Sequence, residues 1–227
     1  MIDIKNLSKV YDGRAVLDNI NLKLDQGQIV GLLGENGSGK TTLIRILAGL
    51  ERSYQGEVNI DGEVPGGLTN DILAYQPDHL PLDEHMKIEK VSELYDDFFA
   101  DFDSNKFYNL INGFEIPKEL KIKECSKGMK EKIQIALTLS RKAQIYILDE
   151  PMSGIDPKSR KVVLNTIIDN FDYQGLMIVS THLVSEVEKI LDRALFLDDG
   201  KLVLNETVDD IRLNHHMGVE EYFTEVL

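Results

Sequence analysis

The feature that most constrains this chain is a glycine-rich stretch near its start. Residues 34–42 read Gly-Glu-Asn-Gly-Ser-Gly-Lys-Thr-Thr, and they match the phosphate-binding pattern G-x-x-x-x-G-K-(S/T) at every fixed position. A phosphate chain needs several N–H donors pointing inward at once, and only a loop rich in glycine brings its backbone that close. The stretch therefore predicts a loop that binds a chain of phosphates.

The flanks of this loop have the order that the motif requires. The apolar run 28–33 predicts a buried strand before the loop, and apolar residues at helical spacing over 43–50 predict a helix after it. The first N–H groups of a helix favour an anion. We expect Lys40 to reach the β and γ phosphates and the Thr41 hydroxyl to bind Mg²⁺. The alternative is a glycine-rich turn without a ligand. The candidate nucleotide-binding residues are Gly34, Asn36, Gly37, Ser38, Gly39, Lys40, Thr41 and Thr42.

Charge and composition narrow the classes of partner. The 227 residues carry a net charge of −14, and an acidic surface repels nucleic-acid backbones, so no nucleic-acid partner is expected. The single cysteine, Cys125, excludes an intrachain disulfide and suits a reducing cytosol. No stretch has the length of a membrane span. We therefore expect a cytoplasmic protein, to which another chain must supply any membrane-spanning part.

The rest of the sequence predicts an α/β fold. Residues 1–33 predict antiparallel strands that lead to the strand before the loop, and alternating strands and helices beyond the loop predict a mostly parallel sheet. A hairpin with its turn at Asp199-Gly200 and a helical tail from Thr207 follow. We predict one domain over 1–227, with a core formed by 1–76 and 140–227 and a helical subdomain over 77–139.

The segment 85–116 differs from the rest because its aromatic residues recur at helical spacing. Two amphipathic helices are predicted, and their apolar faces would form an aromatic seam. We interpret these side chains as the core of the insert and not as a ligand box. They are Val91, Leu94, Tyr95, Phe98 and Phe99 on the first helix and Phe107, Leu110, Ile111 and Phe114 on the second.

A second motif adds two carboxylates. The apolar run 145–148 predicts a buried strand, and Asp149 and Glu150 follow it directly. In open α/β sheets, ligands bind beyond the carboxyl ends of the strands. Asp149 is suited to hold Mg²⁺, and Glu150 to orient or deprotonate a water aimed at the γ phosphate. For the pair alone, a solvated turn is the alternative.

Taken together and in this order, the motifs resemble the nucleotide-binding subunit of ATP-binding cassette (ABC) transporters, over nearly the whole chain. Tyr11 matches the adenine-stacking position, with Val16 nearby, and the loop residues named above match the phosphate-binding loop. Gln76 matches the Q-loop, and Cys125-Ser126-Lys127-Gly128-Met129 lies at the position of the signature. The later matches are residues 145–150 at Walker B, Ser153-Gly154-Ile155-Asp156 at the D-loop and His182 at the switch. Singly, Tyr11, Gln76 and His182 could equally be ordinary strand-end, loop and turn residues.

The resemblance implies a mechanism and partners. The chain would bind ATP and Mg²⁺, with Glu150, His182 and Gln76 as catalytic residues and Thr41, Gln76 and Asp149 at the metal. Two ABC subunits, from the same or different chains, would enclose two ATP molecules head to tail. Ser126 and Gly128 would then contact the γ phosphate bound to the other subunit. A separate polytopic permease would provide the membrane path and hold the pair at the inner face of the membrane.

The signature departs from the family pattern LSGGQ, since Lys127 replaces a glycine and Met129 replaces the glutamine. The form Ser-Lys-Gly-Met-Lys resembles that of bacterial exporter-type ATPases, so we expect an exporter. One rival is a soluble ABC ATPase that acts on nucleic acid or ribosomes, which the charge disfavours. A second rival is a P-loop kinase or GTPase, but Asn105-Lys106 lacks the aspartate of a base-reading motif.

Overall fold

The fold combines two sheets with helices. A computed structural model describes residues 1–79 and 82–226, so Leu80 and Pro81, within the predicted helical subdomain, and Leu227 lie outside the described residues. One sheet has three strands and the other six. The α/β class predicted from the sequence is confirmed. Among the described residues, no helix combines the length and the apolar character needed to cross a membrane.

The smaller sheet is antiparallel and comes from the amino-terminal part of the chain. It comprises β1 (Ile2–Tyr11), β2 (Arg14–Leu24) and β4 (Gln55–Ile60) in the order β2-β1-β4. The strands alternate buried apolar and exposed polar residues, as expected for a sheet with one face on the core. The predicted antiparallel strands are therefore present.

The larger sheet has the order β5-β6-β7-β3-β8-β9 and is parallel except for its last pair, the hairpin β8–β9. Its strands are β3 (Gln28–Leu33), β5 (Leu73–Gln76), β6 (Ile145–Asp149), β7 (Leu176–Thr181), β8 (Arg193–Asp198) and β9 (Lys201–Thr207). Because β3, β5, β6 and β7 run the same way, their carboxyl ends meet at one edge of the sheet. The glycine-rich loop follows β3 at this edge.

The helices are α1 (Lys40–Leu47), α2 (Ile88–Phe98), α3 (Ser104–Gly113), α4 (Lys127–Leu139), α5 (Pro157–Asn170), α6 (Val184–Val187), α7 (Val208–His215) and α8 (Val219–Val226). Helix α6 has only four residues, and a 3₁₀ turn, Glu188–Ile190, follows it. The chain must leave the helix there, since the N–H of Asp192 donates to the carbonyl of Ile29 on the central strand.

The aromatic seam of the helical insert is present with one correction. Tyr95 packs against Phe99 and Phe102, with ring centroids 5.3 and 5.6 Å apart, and Phe102 lies 6.0 Å from Phe107. Phe98, however, is 74% exposed, so its predicted place on the buried face is wrong. The helix ends at this residue, and Phe99 and Phe102 occupy the space beside Tyr95.

Candidate nucleotide site

A cavity of about 300 Å³ lies at the sheet edge where the parallel strands end. Val16 from β2, residues of the glycine-rich loop, the first turn of α1 and Glu150 line it. Its described lining is Val16, Asn36, Gly37, Gly39, Lys40, Thr41, Thr42, Asp78 and Glu150. Two motifs that are more than 100 residues apart in the sequence thus meet in one space.

The backbone of the loop admits only glycine at two of the matched positions. Gly39 has φ 109°, and a Cβ built there would lie 2.7 Å from the carbonyl oxygen of Val16. A Cβ on Gly34 would lie 2.3 Å from the carbonyl oxygen of Leu197. Both distances are too short for a side chain, so only glycine fits the backbone at these two positions.

Lys40 lies at the start of α1 with 6% of its side chain exposed. Its Nζ donates to the carbonyl oxygens of Gly34 and Glu35 at 2.7 and 3.0 Å, and lies 3.8 Å from Oε1 of Glu150. Burial lowers the pKa of the Lys40 ammonium, and the nearby carboxylates of Glu150 and Asp149 partly offset this. A poorly hydrated cation of this kind interacts strongly with a phosphate placed beside it.

Asp149 ends β6 and is fully buried. Its Oδ1 accepts a hydrogen bond from the hydroxyl of Ser180 at 2.5 Å, on the neighbouring strand. Burial raises the pKa of the Asp149 carboxyl, and the hydrogen bond from the Ser180 hydroxyl partly opposes the shift. The second oxygen, Oδ2, has no hydrogen-bond partner among the described residues.

The residues at this point fit Mg²⁺. Gln76 ends β5, opposite Leu148, and is therefore next to Asp149 across the sheet. Its Oε1 is also buried without a hydrogen-bond partner in the described part of the chain. These two orphaned oxygens and the Thr41 hydroxyl are ligands of the type that Mg²⁺ accepts, and Mg²⁺ takes few protein ligands because phosphates and water complete its shell.

Glu150 is held in an uncommon conformation. Its φ of 48° is left-handed. Its N–H donates a hydrogen bond to the hydroxyl oxygen of Ser180 at 3.1 Å. This backbone directs the side chain toward His182, whose Nδ1 lies 3.0 Å from Oε2 of Glu150. A non-glycine residue at positive φ is often part of a functional site. Glu150 thus lies between the loop lysine and the histidine.

The ABC transporter family model matches residues 17–153, more than half of the chain. The chain belongs to the ABC transporter family. It is 30% identical over 217 residues to the ABC transporter ATP-binding protein YtrB of Bacillus subtilis, covering 93% of this chain and 74% of the relative. It is also 30% identical to the lantibiotic transport ATP-binding protein SrtF of Streptococcus pyogenes, with 92% of each chain covered.

The fold agrees with this assignment. The solved structure of an ATP-binding subunit of an ABC transporter superposes with a TM-score of 0.88 at 26% identity, covering 99% of this chain and 98% of the other. The chain is therefore an ABC-type ATPase, and its two sheets and helices match those of an ABC transporter subunit.

One residue of the ABC site was missed by the sequence reasoning. Asp78 lines the cavity two positions after Gln76, and its carboxylate lies 2.6 Å from Nδ1 of His79. An acidic residue just beyond a strand end is a weak signal by itself. Its position in the site depends on the loop after β5 turning back toward the glycine-rich loop, which local sequence does not specify.

Tyr11, matched to the adenine-stacking position of ABC subunits, ends β1 and is 40% exposed. Its hydroxyl donates to Glu51 at 2.7 Å, and the Lys9 ammonium lies 4.4 Å from its ring centroid. The described residues that line the cavity include Val16 but not Tyr11. Stacking of adenine on this ring stays a prediction.

The signature residues lie apart from the cavity lining. Ser126 is exposed and caps α4, where its hydroxyl accepts a hydrogen bond from the N–H of Met129 at 3.2 Å. Gly128 approaches the D-loop, since a Cβ there would lie 3.2 Å from the carbonyl oxygen of Gly154. Asp156 caps α5, and the hydrogen bonds it accepts there lower the pKa of its carboxyl.

Proposed function

We propose that this chain is the ATP-hydrolysing subunit of a membrane exporter and that it works as a head-to-tail pair of cassettes. The observation that carries the proposal is the division of the site. One half, around Lys40, Asp149 and Glu150, is assembled within the chain. The other half, at Ser126, is exposed at the start of α4 and outside the cavity lining.

In the assembled half, the loop N–H groups and Lys40 bind the phosphates of ATP. Thr41, Gln76 and Asp149 would hold Mg²⁺, which when bound neutralises charge on the phosphate oxygens. Glu150 accepts the proton of the attacking water, and His182, in contact with Glu150, steadies the γ phosphate. These roles agree with the chemistry of each side chain.

The exposed half supplies the remaining contacts. The Ser126 hydroxyl and the N–H groups around Gly128 point from a helix start, where an anion is favoured. On the γ phosphate bound to the other subunit, they would complete a site that neither subunit completes alone. ATP then links two chains, and hydrolysis separates them.

The transport assignment rests on the relatives and on the signature. SrtF, a lantibiotic transport ATP-binding protein, matches over 92% of both chains. The Ser-Lys-Gly-Met-Lys signature resembles the exporter type. We propose that a separate polytopic permease holds the pair at the inner face of the membrane and contacts it through the helical subdomain, 77–139.

Replacement of the base tests the proposal. Glu150→Gln keeps the shape of the side chain but removes the proton acceptor, so ATP binding should persist while hydrolysis slows by about 10²–10⁴-fold. Unhydrolysed Mg-ATP should then convert the variant from monomer to dimer in size-exclusion chromatography. Glu119→Gln, an exposed carboxylate, is the matched control and should behave as wild type. A Glu150→Gln chain that stays monomeric in Mg-ATP would contradict pairing of this chain with itself.

A further inference from the structure

Helix α4, which begins at the signature, buries a glutamate and a glutamine side chain inside the protein. Glu131 and Gln134 are each 4% exposed. They lie three positions apart and therefore on one face of the helix, about a turn from each other. A buried polar group is costly unless it is hydrogen-bonded, so the partners of these two side chains show what their burial achieves.

Glu131 binds the D-loop. Its Oε2 accepts a hydrogen bond from the N–H of Gly154 at 2.8 Å, and its Oε1 accepts one from the hydroxyl of Ser153 at 3.3 Å. The Lys127 ammonium lies 3.9 Å from the same carboxylate. The D-loop lies so close to α4 that a Cβ on Gly154 would be 2.3 Å from Oε1 of Glu131. The Glu131 and Lys127 side chains therefore contact the D-loop backbone directly.

Gln134 binds the other catalytic loop. Its Nε2 donates to the carbonyl oxygen of Pro77 at 3.1 Å. Pro77 directly follows Gln76, one of the residues that fit Mg²⁺. One helix thus holds the Q-loop through Gln134 and the D-loop through Glu131.

The loops held in this way both belong to the ATP site of the same chain. The D-loop begins three residues after Glu150, and the Q-loop contains Gln76 and Asp78, of which Asp78 lines the cavity. The helix that joins them starts at Ser126, which in the proposed pair faces the other nucleotide. A helix moves as a rigid rod over such a distance, so a shift at its start reaches both loops.

We propose that Glu131 and Gln134 are positioning residues that tie the signature helix to the D-loop and the Q-loop, so that nucleotide held at Ser126 sets both catalytic loops of this chain. The proposal rests on the head-to-tail pairing proposed above. It also accounts for Lys127 at the signature. A Cβ built on Gly154 would lie 2.6 Å from the Lys127 side chain. The Lys127 ammonium lies 3.9 Å from the buried Glu131 carboxylate.

Hydrogen–deuterium exchange, measured in a Glu150→Gln background with and without Mg-ATP, tests the two ties separately. With both ties present, Mg-ATP should slow exchange in the glycine-rich loop, in residues 74–79 and in residues 150–156. Glu131→Leu should abolish the response of 150–156 alone, with exchange there about tenfold faster or more, since the N–H of Gly154 loses its charged acceptor. Gln134→Leu should abolish the response of 74–79 alone.

Conservative substitutions and kinetic measurements distinguish a positioning role of Glu131 and Gln134 from general destabilisation of the fold. Glu131→Gln can still accept from Gly154 and should keep the response of the D-loop, while Glu119→Gln changes an exposed carboxylate and should alter nothing. With Glu150 intact, the two leucine variants should lower kcat about tenfold and change KM by less than about twofold.

The outcomes distinguish the inference from the function on which it rests. If the chain dimerises with Mg-ATP but both loops respond normally in the leucine variants, the inference is wrong and the pairing survives. Loosening of both loops by either variant would show general destabilisation and would equally overturn it. If Mg-ATP forms no dimer in the Glu150→Gln chain, the pairing and the inference fall together.

Discussion

The two ends of the ATP site differ in how far the chain itself completes them. At the glycine-rich loop, Lys40 is 6% exposed and Asp149 is fully buried, and both are hydrogen-bonded within the chain. At the signature, Ser126 is exposed and the Lys127 side chain is 72% exposed. Side chains already held in place lose less conformational freedom when they bind a ligand. An exposed helix start can act only on a ligand that another molecule brings to it.

The largest effect is expected at the buried end. Lys40→Ala should abolish hydrolysis and weaken ATP binding by about 2–3 kcal/mol or more, because a charge-assisted contact to a poorly hydrated anion is lost. Lys23→Ala, which removes an exposed lysine from β2, is the control and should leave both unchanged. Titration of a fluorescent ATP analogue and a phosphate-release assay measure the two quantities. Near-normal turnover in Lys40→Ala would contradict the assignment of this end.

Asp149→Asn should lose activity and the dependence on Mg²⁺, yet raise the melting temperature of the nucleotide-free chain. Burial raises the pKa of the Asp149 carboxyl, so the folded state binds its proton more tightly than the unfolded state. This group therefore contributes stability that is present below the unfolded pKa and is lost as pH rises through the folded pKa, above which the buried carboxylate is charged and costs stability. Asparagine removes that cost. A thermal melt at pH 7 checks the sign, and a fall in the melting temperature would contradict it.

The smallest effect is expected at Tyr11, where the ring is partly exposed. If adenine stacks there, Tyr11→Ala should raise the KM for ATP by a factor that corresponds to about 1–3 kcal/mol, the contribution of base stacking on an aromatic ring. Tyr11→Phe removes the hydroxyl that donates to Glu51 but keeps the ring, and should restore affinity. Steady-state kinetics of both variants decide the question, because equal behaviour of Ala and Phe would rule out stacking.

The sequence predicts best what depends on a short stretch of chain. The loop at 34–41 could be read directly, since close backbone contacts impose glycine at Gly34 and Gly39. The apolar runs at β3 and β6 identified the strands. Each of these follows from local geometry.

What the sequence did not reveal depends on tertiary contact. Glu131 reads as one charge in a helix, and its hydrogen bond to Gly154, 23 positions away, exists only in the fold. The exposure of Phe98 and the shortness of α6 have the same origin, because neighbours from elsewhere in the chain decide both. Asp78 enters the cavity through the path of a loop.

Mixing two inactive chains tests the division of the ATP site between subunits. Ser126→Arg should eliminate hydrolysis while the isolated chain still binds ATP, since the buried end is intact; Lys40→Ala is defective at the buried end. In a mixed head-to-tail pair, one site carries both defects and the other carries neither. Phosphate release should therefore return when the two inactive variants are combined with Mg-ATP. If each variant is inactive alone and the mixture is equally inactive, Ser126 does not act on the nucleotide of a second copy of this chain.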